Sequence, residues 1–547
     1  MGLNSLHREK RPFWQSILIN FGFTLALLSI LFAMDIIYAF YDPNYTHLRI
    51  TGHERTLISF VLVLSLVNSS AIRLFFIFSL FFSSLVQYLH FQYFGNLVQP
   101  IAFFMLINNV QEVAESYFDV LSTAIVPLLL VATAFFISVR VNRWFQGKLF
   151  SLRFGIVILL LFFCYQINWT YSHLHQKSGR LSNHYAKKIY PMPIAHSATN
   201  FQRSFFCFLS GIVPKKFFGS TQNFPILPPP QLKEAAPDRT VVLVIGESLR
   251  YDRLSLLGYH SPTTPNLDRL FARKDIYADW IYAGGTVTKT AVSVILNRLK
   301  YPGVTAQIST QTNNMFKLAK DNGFKTYFFS AQEESKLRIL DNLICKNCID
   351  HYENRTDYEE ENPRASKYDD ILLSLVAGVD WDKPAFIVFQ QRGSHSPYAK
   401  QVPLQFKKFT DDYDNTVLYT DTVLTSLLSH IRKKSKNSLY YMYVSDHGEL
   451  LGENGTNGHG WFEKEVYEVP FIYYADDRNR EKYADQLLQV RSQFDVSNLV
   501  ATLLGYRVKW DSPDEDLYIN GTDLNALGGY LHLKMDGKKI LDRELVR

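Results

Sequence analysis

Cysteine is scarce in this sequence, with four among 547 residues. That excludes a disulfide-dense secreted scaffold. A charge of one sign is lacking too: Lys and Arg total 57 and Asp and Glu 51, for a net +6. No patch mixes Arg with aromatic rings in the manner of single-strand binders, so no nucleic-acid partner is expected. No internal repeat is present, which excludes solenoids and propellers. Charged residues are sparse over 14–170, where Phe, Leu and Ile dominate. The near-zero mean hydropathy therefore averages two unlike parts, and a chain this long is expected to hold two to four domains.

About five apolar spans occupy the first part, near 14–39, 56–70, 71–90, 120–139 and 153–172. A helix that crosses a bilayer needs about 20 apolar residues. Too few polar residues separate these spans to solvate a soluble bundle. The first is too long for a removed signal peptide and lacks a small-residue cleavage site. Arg8, Lys10, Arg11, Arg73, Arg140, Arg143, Lys148 and Arg153 fall on one side of the predicted membrane, against Arg49 and Arg55 on the other. The positive-inside rule then places the amino terminus in the cytoplasm, and five crossings place everything after about residue 172 outside it.

Three predicted domains follow: a membrane domain over 1–172, a connector over 173–237 and a soluble domain over 238–547. The connector is basic and aromatic in "FQRSFFCFLSGIVPKKFFG", which suits a membrane surface or an irregular linker. "FPILPPPQLKEAAPD" stiffens its end. Between the third and fourth spans, "QPIAFFMLINNVQEVAESYFDV" reads as an amphipathic helix lying on the outer surface, with Asn108, Glu112 and Glu115 on nearby faces. Cys164 falls in the fifth span and Cys207 in the connector. Cys345 and Cys348 form "CKNC" outside the cytoplasm, where a short structural disulfide is expected. A zinc knuckle would need a second Cys or His pair, and only His351 is close.

Over 238–547 strand and helix signals alternate. "TVVLVIG", "KTYFFSA", "AFIVFQQ" and "SLYYMYVSD" read as apolar strands. "TNNMFKLAKDNG", "YDDILLSLVAG", "VLYTDTVLTSLLSHIRKK" and "VSNLVATLLG" read as helices. The predicted fold is an α/β domain with a largely parallel sheet, whose ligands bind beyond the carboxyl ends of the strands. Those ends deliver Glu247, His395, Asp446 and His447, and the Gly-rich loop after the last carries His459. One such residue alone is more often a turn or cap residue. Together, carboxylates and imidazoles suit Zn²⁺, with Mn²⁺ as the alternative. "AGGTVTKTAVSVILNRL" turns from a Gly-rich loop into a helix near Thr290, where the positive helix end favours an anionic oxygen. Thr290 is therefore the expected nucleophile.

"VIGESLRYDRLSLLGYHSPTTPNLDRL", "GGTVTKTAVSV", "RGSHSPY" and "SDHGELLGENGTNGHG" resemble the phosphoethanolamine transferases of Gram-negative bacteria, within the sulfatase/alkaline phosphatase superfamily. These include lipid A enzymes linked to polymyxin resistance and enzymes that modify core heptose. The resemblance implies a multi-span membrane domain followed by a sulfatase-like α/β domain, in the bacterial inner membrane with the catalytic domain periplasmic. It implies that Glu247, Thr290, Asp446 and His447 hold a catalytic zinc, with Thr290 also the nucleophile. His395 and His459 would bind the transferred phosphoryl group or a second metal, Lys336 would contact substrate, and Glu112 would meet the ethanolamine amine. Asn108 stands where the lipid A enzymes carry a Thr, and the Cys residues flanking their nucleophile are absent here. Both departures favour a core-sugar or other acceptor over lipid A itself.

The reaction implied moves phosphoethanolamine from phosphatidylethanolamine to a lipopolysaccharide acceptor through a covalent threonine ester, in a monomer. A phosphoglycerol transferase of the same superfamily is the alternative. A sulfatase proper is disfavoured, because "TAVSV" lacks the Pro and Arg of a formylglycine site.

Overall fold

In a computed structural model of the chain, the residues described are 14–26, 70–94, 125–144 and 224–546, less 236, 342, 454–455, 477–478 and 527, with scattered positions between 98 and 213. The chain divides into two compact units, the second made of Ser220–Glu453 and Asn457–Arg547.

In the first unit, helix α1 (Ser70–Phe94) runs antiparallel to helix α2 (Ile125–Asn142). The start of one meets the end of the other: Arg73 Nε donates to Asn142 Oδ1 at 2.6 Å, and Asn142 Nδ2 donates to Ser70 Oγ at 3.1 Å. Further along, Phe81 meets Phe135 edge-on. Phe75, Phe78, Phe82, Leu129 and Phe136 point outward and stay exposed, so both helices are apolar on the outside as well as the inside. Ser70–Gln92 is long and apolar enough to cross a bilayer, while Leu128–Asn142 is apolar but shorter. The predicted third span falls within α1, residues 125–139 of the fourth fall within α2, and residues 14–26 of the first are helical; residues 120–124 lie outside the described residues. The second span up to residue 69 and most of the fifth lie outside the described residues.

The second unit is built on a seven-stranded sheet. Its strands are β1 (Arg239–Gly246), β2 (Tyr277–Tyr282), β3 (Lys325–Ser330), β4 (His351–Asn354), β5 (Ala385–Gln390), β6 (Ser438–Ser445) and β7 (Glu468–Ala475). They lie in the order β2-β7-β6-β1-β5-β3-β4. All run in one direction except β7, which is antiparallel to β6 and β2 on either side. Every residue of β1 is buried, as expected of a central parallel strand covered on both faces. Alternate side chains feed two cores. Val241, Leu243 and Ile245 pack with helix α3 (Thr288–Asn297) and a later helix of the same face. Val242 and Val244 pack with helix α4 (Asp412–Lys434). The later helix is α5 (Gln493–Leu503), which opens with a capping box between Ser492 and Asp495. A separate antiparallel sheet of β8 (Leu517–Asn520), β9 (Tyr530–Asp536) and β10 (Lys539–Val546) closes the unit.

One predicted helix is not continuous. "YDDILLSLVAG" forms only a short helix, Leu372–Leu375, between two 3-10 turns. Asp369 turns inward at its start and accepts bonds from Arg392 N and Gly393 N.

Candidate active site

Register sets the site. Gly246, the last residue of β1, pairs with Ser445, the last of β6, so Glu247 and the Asp446–His447 pair leave the sheet side by side. Gly246 has no room for a side chain, since a Cβ there would lie 2.1 Å from Tyr443 Oη. Ligand atoms of Glu247, Asp446 and His447 all fall within 4.8 Å of one another, and all three residues are buried. His447 Nε2 is 3.3 Å from Asp446 Oδ2 and 3.6 Å from Glu247 Oε1. Asp446 Oδ1 accepts from Ser248 N and His447 N, and Ser248 Oγ donates to Glu247 Oε1. His447 Nδ1 faces Gly448 O at 2.9 Å. That contact fixes a proton on Nδ1 and leaves Nε2 as the lone pair turned to the carboxylates.

The threonine at this cluster is Thr288. Its Oγ1 lies 3.2 Å from Glu247 Oε2 and 3.3 Å from His447 Nε2. Thr290, the residue expected from the sequence, is fully buried and donates its hydroxyl to Val287 O at 3.0 Å. The hydroxyl beside the cluster thus lies two residues before the expected one, and the reason is where the helix begins. Val287 is extended (φ −143°, ψ 156°) and Thr288 is already the first residue of α3. Thr288 therefore occupies the opening position, with the positive helix end behind it, and Thr290 lies inside the first turn. Gly285 explains the close packing there: a Cβ on it would lie 2.1 Å from Thr290 Oγ1.

Electrostatics favour a cation. Burial pushes the Asp446 carboxyl up to about 6, despite the hydrogen bonds it accepts. Burial, then the neighbouring His459, pushes His447 well below the usual imidazole range, so it is a neutral donor at neutral pH. Among the described residues no donor completes a hydrogen bond to Asp446 Oδ2, and no Lys or Arg pairs with Asp446. A buried carboxylate oxygen left in this state is costly unless a positive charge meets it. Two carboxylates, one imidazole nitrogen and one hydroxyl within reach of a common point suit a zinc ion, by donor type and by number.

The remaining candidates divide. The His459 ring stacks on His447 with centroids 4.4 Å apart, and His395 meets His459 edge-on at 5.3 Å. Both imidazoles thus join the cluster. Lys336 is exposed on the short helix Glu334–Leu337, beyond the same end of the sheet. Asn108 and Glu112 lie outside the described residues. Cys345 and Cys348 are joined in a disulfide.

Glu449, in the Gly-rich loop after β6, also faces the cluster. It is buried, with Oε1 3.8 Å from His459 Nδ1, and Oε2 accepts no bond among the described residues. Glu453 from the same loop is a brace instead. It pairs with Arg250, whose guanidinium also holds Asp252 and Glu449 O and so ties the loop after β6 to the loop after β1. Its place three positions after Asp446, in the loop that follows an apolar strand, was the signal for Glu449.

Residues 239–506 match the family model described as Sulfatase. The second unit is therefore built around a sulfatase domain. Among curated proteins, the chain is 27% identical over 355 residues to phosphoethanolamine transferase EptA of Helicobacter pylori, covering 59% of this chain and 61% of that protein. It is 25% identical over 316 residues to the Kdo(2)-lipid A phosphoethanolamine 7''-transferase of Escherichia coli, covering 52% and 54%. The solved integral membrane protein lipooligosaccharide phosphoethanolamine transferase A of Neisseria meningitidis has a similar fold. Its TM-score is 0.51 at 18% identity, over 89% of this chain and 95% of that one. Residues 239–506 thus form a sulfatase-family domain, and the chain is similar to phosphoethanolamine transferases. It spans less than two thirds of the length of the two curated relatives.

Proposed function

We propose that the chain is a multi-pass inner-membrane enzyme that transfers phosphoethanolamine from phosphatidylethanolamine to a lipopolysaccharide acceptor, core heptose or lipid A, through a covalent ester on Thr288. The observation that carries the reading is the convergence of Thr288 Oγ1 with Glu247, Asp446 and His447 at the carboxyl end of the sheet. The names of the curated relatives supply the group and the acceptor class. In this reading residues 1–172 hold the membrane, 173–237 connect, and 238–547 form the periplasmic catalytic domain.

Glu247, Thr288, Asp446 and His447 would hold Zn²⁺, which when bound supplies positive charge that favours an ionised hydroxyl and polarises a phosphoryl oxygen. Thr288 Oγ1 forms a bond to phosphorus, the bond from phosphorus to the glycerol oxygen breaks, and diacylglycerol leaves with the proton that Thr288 gives up. An acceptor oxygen then attacks the same phosphorus, the bond to Oγ1 breaks, and Thr288 regains a proton. His395 and His459 are placed to bind the phosphoryl oxygens or to take the acceptor's proton. Lys336 is assigned to substrate contact. Glu112 and Asn108 are assigned to the ethanolamine headgroup.

The test is intact-protein mass spectrometry of the full chain in detergent with zinc and phosphatidylethanolamine. One phosphoethanolamine is expected on the wild type, mapping to Thr288. It should be absent from Thr288→Ala and present on Thr290→Ala. A phosphoglycerol adduct from its own donor lipid would favour the alternative transferase, and an adduct on Thr290 would restore the register read from the sequence. Transfer without any adduct would overturn the covalent route.

A further inference from the structure

The two halves of the site leave strands that are not neighbours. Asp446 and His447 follow β6, and the loop 283–287 that delivers Thr288 follows β2. The reversed strand β7 lies between them. Adjacent strands are about 4.8 Å apart, so the two strand ends are separated by roughly 10 Å and share no ladder. Register within the sheet therefore cannot by itself set how Thr288 stands against Asp446 and His447.

One side chain bridges this gap. Gln493 opens α5 and is fully buried. Its Oε1 accepts from Gly284 N at 2.7 Å. Its Nε2 donates to Ser445 O at 2.7 Å and to Asp446 O at 2.6 Å. The orientation of the amide is fixed by its partners, because an N–H faces one end and two carbonyls face the other. All three bonds go to backbone, so they place peptide units and not side chains. No single-function side chain can do this. A carboxylate could accept from Gly284 N but would turn a lone pair toward two carbonyls, and an apolar isostere would leave three buried backbone groups without partners. Asn520 supports the same loop from the other side, taking Thr286 N on its carbonyl and donating Nδ2 to Gly284 O.

We propose that Gln493 is a positioning residue that sets the distance between the threonine loop and the Asp446–His447 pair. It touches none of the reacting atoms. The proposal rests on the reading of Thr288 as nucleophile.

The experiment follows adduct formation on the full chain in detergent, with zinc and phosphatidylethanolamine saturating, and separates two quantities. The amplitude reports how much protein is competent, and the rate reports how well the competent site is aligned. A residue that only stabilises the fold changes amplitude and leaves rate alone. Gln493→Met is expected to keep most of the amplitude while the rate falls at least tenfold. Ile431→Val, which opens a small cavity at the buried carboxyl end of α4, where the chain turns toward the start of β6, serves as the comparison and should keep the wild-type rate. If Gln493→Met does not fold, Gln493→Asn, whose amide is one methylene short, takes its place with the same expectation. A wild-type rate in the Gln493 variant, whatever its amplitude, overturns the proposal. Absence of adduct in the wild type itself overturns the reading of the site, and the proposal with it.

Discussion

At Gly393 the backbone takes φ +55°, and a Cβ would stand 2.5 Å from Glu247 O and 2.9 Å from Glu247 Cβ. The residue two positions later is His395, so this one glycine keeps two site-bearing loops in contact. Gly393→Ala combines a left-handed backbone with a clash and should cost on the order of 1–3 kcal/mol. The displaced partner is Glu247, so the variant should also lose zinc to a chelator at least several-fold faster than the wild type. Equal melting temperature and equal zinc retention would remove this role from Gly393. Thr288 invites the opposite kind of change. Thr288→Ser keeps the oxygen at the cluster and should retain measurable adduct formation, whereas Thr288→Ala should fall by several orders of magnitude in rate. A Ser variant as dead as Ala would show that the methyl group, not the oxygen, is what matters at that position.

At the scale of elements, α5 carries a titrating cap. Asp495 accepts from Arg491 N, Ser492 N and Ser492 Oγ. Burial nevertheless pushes its carboxyl up to about 6 from the ordinary 3.8. Between those values the folded chain holds a proton that the unfolded chain has already lost. The stability that Asp495 contributes is therefore full below about pH 4 and declines as pH rises toward 6, by at most about 1.4 kcal/mol per pH unit. Asp495→Asn cannot titrate, so the drop in melting temperature from pH 5 to pH 7 should be smaller in the variant than in the wild type. A parallel pair of pH profiles would refute it. Asn354→Ala, at the other capping box, should cost about 1 kcal/mol at every pH. The strands that the sequence revealed are the continuous apolar ones, β1, β3, β5 and β6, because burial on both faces writes an unbroken run. The edge strand β2 was missed because "YADWIY" is only partly buried. β7 was missed because Pro470 sits inside it, and a Pro ordinarily argues against an interior strand. The clustering of Glu247, Asp446 and His447 at the ends of β1 and β6 was legible since strand-end carboxylates and imidazoles are unusual together. The place of Thr288 beside them was not, because Thr286, Thr288, Thr290 and Ser293 crowd the loop and the helix it enters, and the extended backbone of Val287 decides which of them opens the helix.

For the whole molecule, the charge bias of the apolar part gives an expectation for orientation. A reporter fused after residue 547 should be active outside the cytoplasm, and one fused after 145 inside it. The reverse pattern would place the proposed centre away from its lipid donor's outer leaflet and sink the reading. The sheet order has a further consequence in time. β1 lies between β5 and β6, and the bond from Ser248 N to Asp446 Oδ1 joins residues 198 positions apart. Long-range closures of this kind come late and slowly. A chain that has emerged only as far as α4 already contains Glu247 and Thr288 but no Asp446 or His447, and so has nothing with which to close the cluster. On the proposed reading, retained zinc would then be a certificate of completed folding: a truncated, stalled or misregistered chain carries the same opening motifs and would not display it.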